Sequence, residues 1–113
     1  MPCSESYLVK ARRAANMTPS AIRRWQETQA YKEYRRYRDK KKYNGYTSRV
    51  VNRAVRVLRG RASEGSAEKM YQFINRHRGQ EGGERRFGSG RTAVSAHTAA
   101  LRNWGYDPTG RFA

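Results

Sequence analysis

Apolar residues recur along the chain at helical spacing, in short blocks separated by turn signals. Five helices are expected. The first runs from about Glu5 to Asn16, with Tyr7, Leu8, Ala11, Ala14 and Ala15 on one side and Lys10, Arg12 and Arg13 on the other. The second opens with Thr18 as a capping residue and Pro19 at the first helical position. Its pattern carries it unbroken to about Tyr43, where Asn44-Gly45 stops it. Ala21, Ile22, Trp25 and Thr28 give its first half an apolar side. The second half has only the row Tyr31, Tyr34, Tyr37, with Lys and Arg pointing nearly everywhere else. A helix polar all round bridges through solvent or is lined by something other than protein.

The third helix, about Arg49 to Ala62, places Val50, Val51, Ala54, Val55 and Leu58 on one face and Arg49, Arg53, Arg56 and Arg59 on the other. Ser66 is read as the cap of the fourth, which buries Ala67, Met70, Tyr71 and Ile74. A breaker-rich loop follows, from Gly79 to Gly90. The fifth helix starts near Thr92, carries Ala93, Val94, His97, Ala100, Leu101 and Trp104, and ends at Gly105. The remaining residues form a short tail through Phe112. No strand pattern and no repeat is visible. The expected fold is therefore all-α: one domain, a small helical bundle over residues 44–113 with a basic helical arm over residues 1–43.

Composition thins the expected core. Leu, Ile, Val and Phe total 14 of 113 residues, and eight Tyr, two Trp and three Met must make up the deficit. Disorder without a partner is the alternative such a composition leaves open. Charge points to what that partner is. Lys and Arg number 25 against nine Asp and Glu, a formal net charge of +16, and Arg outnumbers Lys. A polyanion relieves that self-repulsion, and forked guanidinium groups suit phosphate. The excess is +8 over residues 1–43, +6 over 44–78 and +2 over 79–113, so the first two thirds form the polyanion-facing part.

The candidate phosphate contacts follow from that charge. Arg49, Arg53, Arg56 and Arg59 lie along about 15 Å of helix without interleaved acids, matching a phosphate row. Arg35, Arg36, Arg38, Lys40, Lys41 and Lys42 mix with Tyr31, Tyr34 and Tyr37, whose hydroxyls or rings could meet phosphates or bases. Lys10, Arg12, Arg13, Arg23 and Arg24 complete the expected set. Arg85, Arg86 and Arg91 could touch a backbone from the Gly-rich loop, which lacks the phosphate-cradle pattern of a nucleotide hydrolase. Trp104 is expected to anchor the bundle, and Tyr106 and Phe112 to join it in contacting a neighbouring subunit.

Other chemistry finds little support. Cys3, His77 and His97 are too few for a structural zinc site, and both histidines fall on apolar faces. Nine scattered acids give no catalytic pairing, so neither an enzyme nor a cofactor is expected. No apolar run suits a membrane span or a secretory signal, which points to an intracellular, nucleoid-associated or virion protein.

Thr18-Pro19-Ser20-Ala21-Ile22-Arg23-Arg24-Trp25, with Ala99-Ala100-Leu101-Arg102-Asn103-Trp104-Gly105-Tyr106-Asp107-Pro108, resembles small basic proteins of prokaryotic viruses and phages. These stretches cover about a fifth of the chain. A basic helical arm before a compact bundle is also similar in architecture to coat proteins of filamentous archaeal viruses. That likeness implies many copies lining one double-stranded genome. The expected function is a structural protein that packages double-stranded DNA through sequence-independent phosphate contacts, its partners being DNA and other subunits. A helix-turn-helix-like regulator is the alternative, with Gln26, Gln29 and Asn52 as its candidate base readers. An RNA-binding or ribosome-associated protein is another.

Overall fold

In the computed structural model, residues 5–79 and 85–113 are described. Among them the chain forms α1 (Tyr7–Ala14), α2 (Pro19–Gln26), α3 (Gln29–Lys41), α4 (Tyr46–Leu58), α5 (Glu64–His77) and α6 (Ala96–Asn103). A strand pair, β1 (Arg86–Phe87) and β2 (Val94–Ser95), is joined through a 3-10 turn at Gly90–Thr92. The all-α bundle stands, with six helices where five were expected.

Local capping explains each boundary. The hydroxyls of Ser6, Thr18, Thr28, Ser63 and Ser95 accept the N–H groups of Val9, Ala21, Tyr31, Ser66 and Thr98. Thr28 is what divides the long second helix of the sequence reading. Its hydroxyl also donates to the Trp25 carbonyl at 2.7 Å, closing α2 and opening α3 with one side chain. Ser63, not Ser66, caps α5, so that helix takes in Glu64 and Gly65. The expected start of the last helix near Thr92 is also corrected. Residues 94–95 pair with 86–87 as strand, antiparallel with Phe87 opposite Val94, and Ser95 then caps α6.

Helix α4 has no hydroxyl cap. It begins at Tyr46, earlier than expected, after Gly45 takes φ +90°, a left-handed conformation that glycine enters without a Cβ clash. Asp39 supplies the missing cap from the previous helix: its carboxylate accepts from Gly45 N–H (3.2 Å) and Thr47 N–H (2.8 Å). Glu64 does the same for α1, accepting from Tyr7 N–H (2.8 Å) and Leu8 N–H (3.2 Å), and so fastens α1 to α5.

The core centres on Trp25, which is fully buried. Its indole N–H donates to Asn103 Oδ1 at 2.7 Å, so the polar atom of the largest side chain is satisfied inside. Ile22, Val51, Val57, Met70, Ile74 and Leu101 are buried with it. The basic amino-terminal stretch shares this core through Ala11, Ile22, Trp25 and Ala30, so it is built into the bundle instead of standing off as an arm. Tyr31 and Tyr34 are core residues too, only 3% and 6% exposed. Tyr31 meets Trp25 edge-on, and Tyr34 meets Phe87 at 5.3 Å. These tyrosines supply the apolar side that α3 seemed to lack.

The tail folds back on its own chain. Asn16 Nδ2 donates to the Asp107 carbonyl (2.9 Å), and Asp107 N–H donates to Asn16 Oδ1 (2.6 Å). Buried Asp107 also accepts from Arg102 Nε, from the N–H and hydroxyl of Thr109, and from Phe112 N–H. Phe112 consequently lies 6.1 Å from Trp25, ring edge to face. Trp104 stacks on Phe73 at 5.5 Å within the bundle, as its anchoring role required. Trp104 and Phe112 thus make intramolecular contacts, and Tyr106 between them is half-buried against the same core.

Candidate nucleic-acid interface

The exposed side of α3 is a basic ridge with a cleft on each flank. Arg36 and Lys40, one turn apart and both exposed, form its crest and line both clefts. One cleft, of about 600 Å³, lies between α3 and the start of α4 and adds Arg35, Asn44, Gly45 and Ser48. The other, of about 390 Å³, lies between α3 and β1 and adds Lys41, Arg85 and Arg86. The second wall depends on a close approach. Gly88, at φ +86°, donates its N–H to Glu33 at 3.0 Å, and a Cβ there would sit 3.0 Å from Ala30 Cβ.

Among the described residues, each cleft is lined by one carboxylate, and both are hydrogen-bonded to backbone amides. Asp39 is held by the Gly45 and Thr47 amides. Glu33 takes the Gly88 amide and Gln29, which hold its pKa below the usual carboxylate value. Among the described residues, no cation lining these clefts makes an ion pair with either carboxylate. Among the described residues, ion pairs are confined to Arg13–Glu5 and Arg102–Asp107.

The arginine stripe on α4 is present as read. Arg49, Arg56 and Arg59 are exposed and Arg53 is half-buried, opposite the buried Val50, Val51, Ala54 and Val55. The stripe begins beside the first cleft, at Ser48. Near its other end is Arg12, whose Nη1 lies 3.8 Å from where a Cβ on Gly60 would be.

The remaining expected contacts divide. Lys42 and Arg24 are exposed, the latter bonded weakly to Ser20. Arg23 donates to Gln26 Oε1 and Asn52 Oδ1, bracing α2 against α4. Arg13 is engaged by Glu5, and Lys10 sits over the Tyr7 ring at 5.1 Å. Arg38 packs over Tyr46 at 5.4 Å and is half-buried. Tyr31 and Tyr34 leave the candidate set because they are buried. Tyr37 is covered by cations: Lys41 donates to its hydroxyl at 2.7 Å, lowering its pKa, and Arg85 lies 4.4 Å from its ring.

Sequence reasoning missed Tyr43. It is 48% exposed, turns its ring edge-on to Tyr46, and has the Arg49 guanidinium 6.0 Å away. Its place directly before the Asn44-Gly45 turn was the available signal. Arg85 and Arg86 were noted only as possible backbone contacts. The strand pair that seats them against α3 is too short to leave a sequence pattern. His77 and His97 meet at the end of α5, with His97 Nε2 at 2.6 Å from the His77 carbonyl, away from the basic clefts.

The candidate base readers are all engaged within the protein. Gln26 accepts from Arg23 and donates to the Tyr31 hydroxyl, Gln29 donates to Glu33, and Asn52 accepts from Arg23. What remains exposed is charge, suited to phosphates, on a scaffold that offers few free amides for base edges. The chain matches no protein-family model, no curated protein and no solved structure, so its own geometry carries the functional argument.

Proposed function

We propose that this protein binds nucleic acid through its phosphates, without reading base sequence, and serves as a structural packaging protein for double-stranded DNA. One observation carries the reading: among the described residues, Asp39 and Glu33 are bonded to backbone amides while the cations lining the same clefts make no ion pair. Asp39, Glu33 and Glu64 hold α4, β1 and α1 in place, and Asp107 holds the tail. These carboxylates serve the fold, and of the four only Asp107 makes an ion pair among the described residues, with buried Arg102. A chain with a formal charge of +16, and with few ion pairs among its described residues, gains by meeting a polyanion.

The test is a titration of duplex DNA of scrambled sequence between 50 and 200 mM salt. With roughly 6–10 phosphates engaged, affinity should fall by about 10³–10⁵ over that range. Arg53→Gln with Arg56→Gln should weaken every sequence alike and reduce the logarithmic salt slope by about 1.8. A shallow slope, or one site bound far above the rest, would sink the proposal.

A regulatory reading has one observation in its favour, the tight α2–α3 connection through Glu27 and Thr28. It requires base readers, and Gln26, Gln29 and Asn52 are engaged elsewhere. The packaging reading stands ahead.

A further inference from the structure

The two clefts flank one helix, and that arrangement constrains the form of the nucleic acid. We infer that α3 enters the major groove of a B-form DNA duplex, with one sugar-phosphate strand seated in each cleft. This inference rests on the phosphate-binding reading above and goes beyond it by naming the ligand's form and the groove.

A helix with its side chains is about 10–12 Å across, and the major groove of B-form DNA is about 12 Å wide. Helix α3 has thirteen residues, a length of about 20 Å, so it can lie along the groove for most of its basic half. Its crest, Arg36 and Lys40, then points at the groove floor. Arg35 with the start of α4 faces one phosphate row. Lys41 with Arg85 and Arg86 faces the other.

The charges on the two sides agree with this. Among the described residues, the α4-side cleft sets Arg35, Arg36 and Lys40 against one carboxylate, that of Asp39, already bonded to amides. The β1-side cleft sets Arg36, Lys40, Lys41, Arg85 and Arg86 against Glu33, likewise bonded. A single strand offers one phosphate row and would leave one cleft empty. An A-form RNA duplex has a major groove too narrow and deep for a helix to enter.

The intact protein is titrated with a 24-base-pair DNA duplex, the RNA duplex of the same sequence, and the DNA single strand, at matched salt. The DNA duplex should bind at least tenfold more tightly than either of the others. The saturated complex is then treated with dimethyl sulfate, which methylates guanine N7 in the major groove and adenine N3 in the minor groove. Guanine N7 should be protected and adenine N3 should not. Arg35→Gln alone and Arg86→Gln alone, from opposite clefts, should each weaken duplex binding and lower the salt slope by about 0.9. Helix content by circular dichroism should be unchanged, since both side chains are exposed.

Equal affinity for DNA and RNA duplexes, protection of adenine N3 in place of guanine N7, or a loss on only one flank would overturn the groove placement. Steep salt dependence accompanying any of these would leave the phosphate-binding reading intact. Weak, salt-insensitive binding to all three probes would end both.

Discussion

Arg102 and Asp107 form an ion pair sealed inside the fold, with Nε 3.1 Å from Oδ1 and side-chain exposures of 3% and 0%. Burial lowers the pKa of the arginine, and Asp107 opposes that shift. The guanidinium lies between Trp25 and Phe112, 4.8 and 5.0 Å from their ring centres, and also donates to Thr109. Charge, tail and central tryptophan are thus one unit. A buried pair of this kind adds little over an apolar replacement of both members, but losing one member strands the other.

Asp107→Asn should therefore destabilise the protein by about 3–5 kcal/mol, read by chemical denaturation with the tryptophans as probes. Removing residues 106–113 should unfold the bundle as well. A truncated chain with unchanged melting would show that the tail is ornamental.

The same residue sets an acid response. Burial works against the Asp107 charge, but bonds from Phe112 and Thr109 and the nearby Arg102 outweigh it, so its folded pKa lies below the ordinary value. A carboxylate with a depressed folded pKa stabilises fully above its unfolded pKa, about 3.9, and loses that contribution as pH falls through the folded value. Stability should be flat for this group from neutral pH down to about 5 and fall below about 4. Asp107→Asn, already weakened, should show a shallower acid slope in parallel denaturation curves.

Tyr34 distinguishes core from surface on α3. Tyr34→Ala should cost about 3–5 kcal/mol by analogy with other large aromatic truncations, because it empties the space between α3 and Phe87. DNA affinity of the protein that remains folded should be unchanged. A large loss of affinity with normal stability would return Tyr34 to the interface.

Gly88 couples fold to site. Gly88→Ala should destabilise by more than about 1 kcal/mol, since alanine disfavours φ +86° and its Cβ would press on Ala30. Moving β1 off α3 should also weaken DNA binding, measured well below the melting temperature. Wild-type affinity would mean that Arg85 and Arg86 work without a fixed wall.

The helical fold was legible because apolar spacing is a local signal: α1, α4 and the packing face of α5 follow it directly. Boundaries failed where one polar atom decides them. Thr28 reads as part of a continuous stripe, and only its bonds to Trp25 and Tyr31 reveal a break. The strand pair was invisible because two residues per strand cannot show alternation. At the site, the α4 stripe was readable from charge alone. The α3 clefts were not, because their walls come from residues 44–48 and 85–87, brought to α3 by Asp39 and Glu33. Tyrosines placed among Lys and Arg looked like ligand contacts, and nothing in their spacing announced that Phe87, fifty or more positions later, would pack on Tyr34 and Tyr37.

The latch between Asn16 and Asp107 spans 91 positions. A closure of that length cannot form before Asp107 has been made, and it carries the slow kinetics of distant contacts. Phe112, one of the rings that meet Trp25, is made 87 positions after it. The basic helices are therefore synthesised well before the residues that complete their scaffold. On the proposed phosphate-binding reading, closure of this latch, and not synthesis of the cationic segment, is what completes the binding surface.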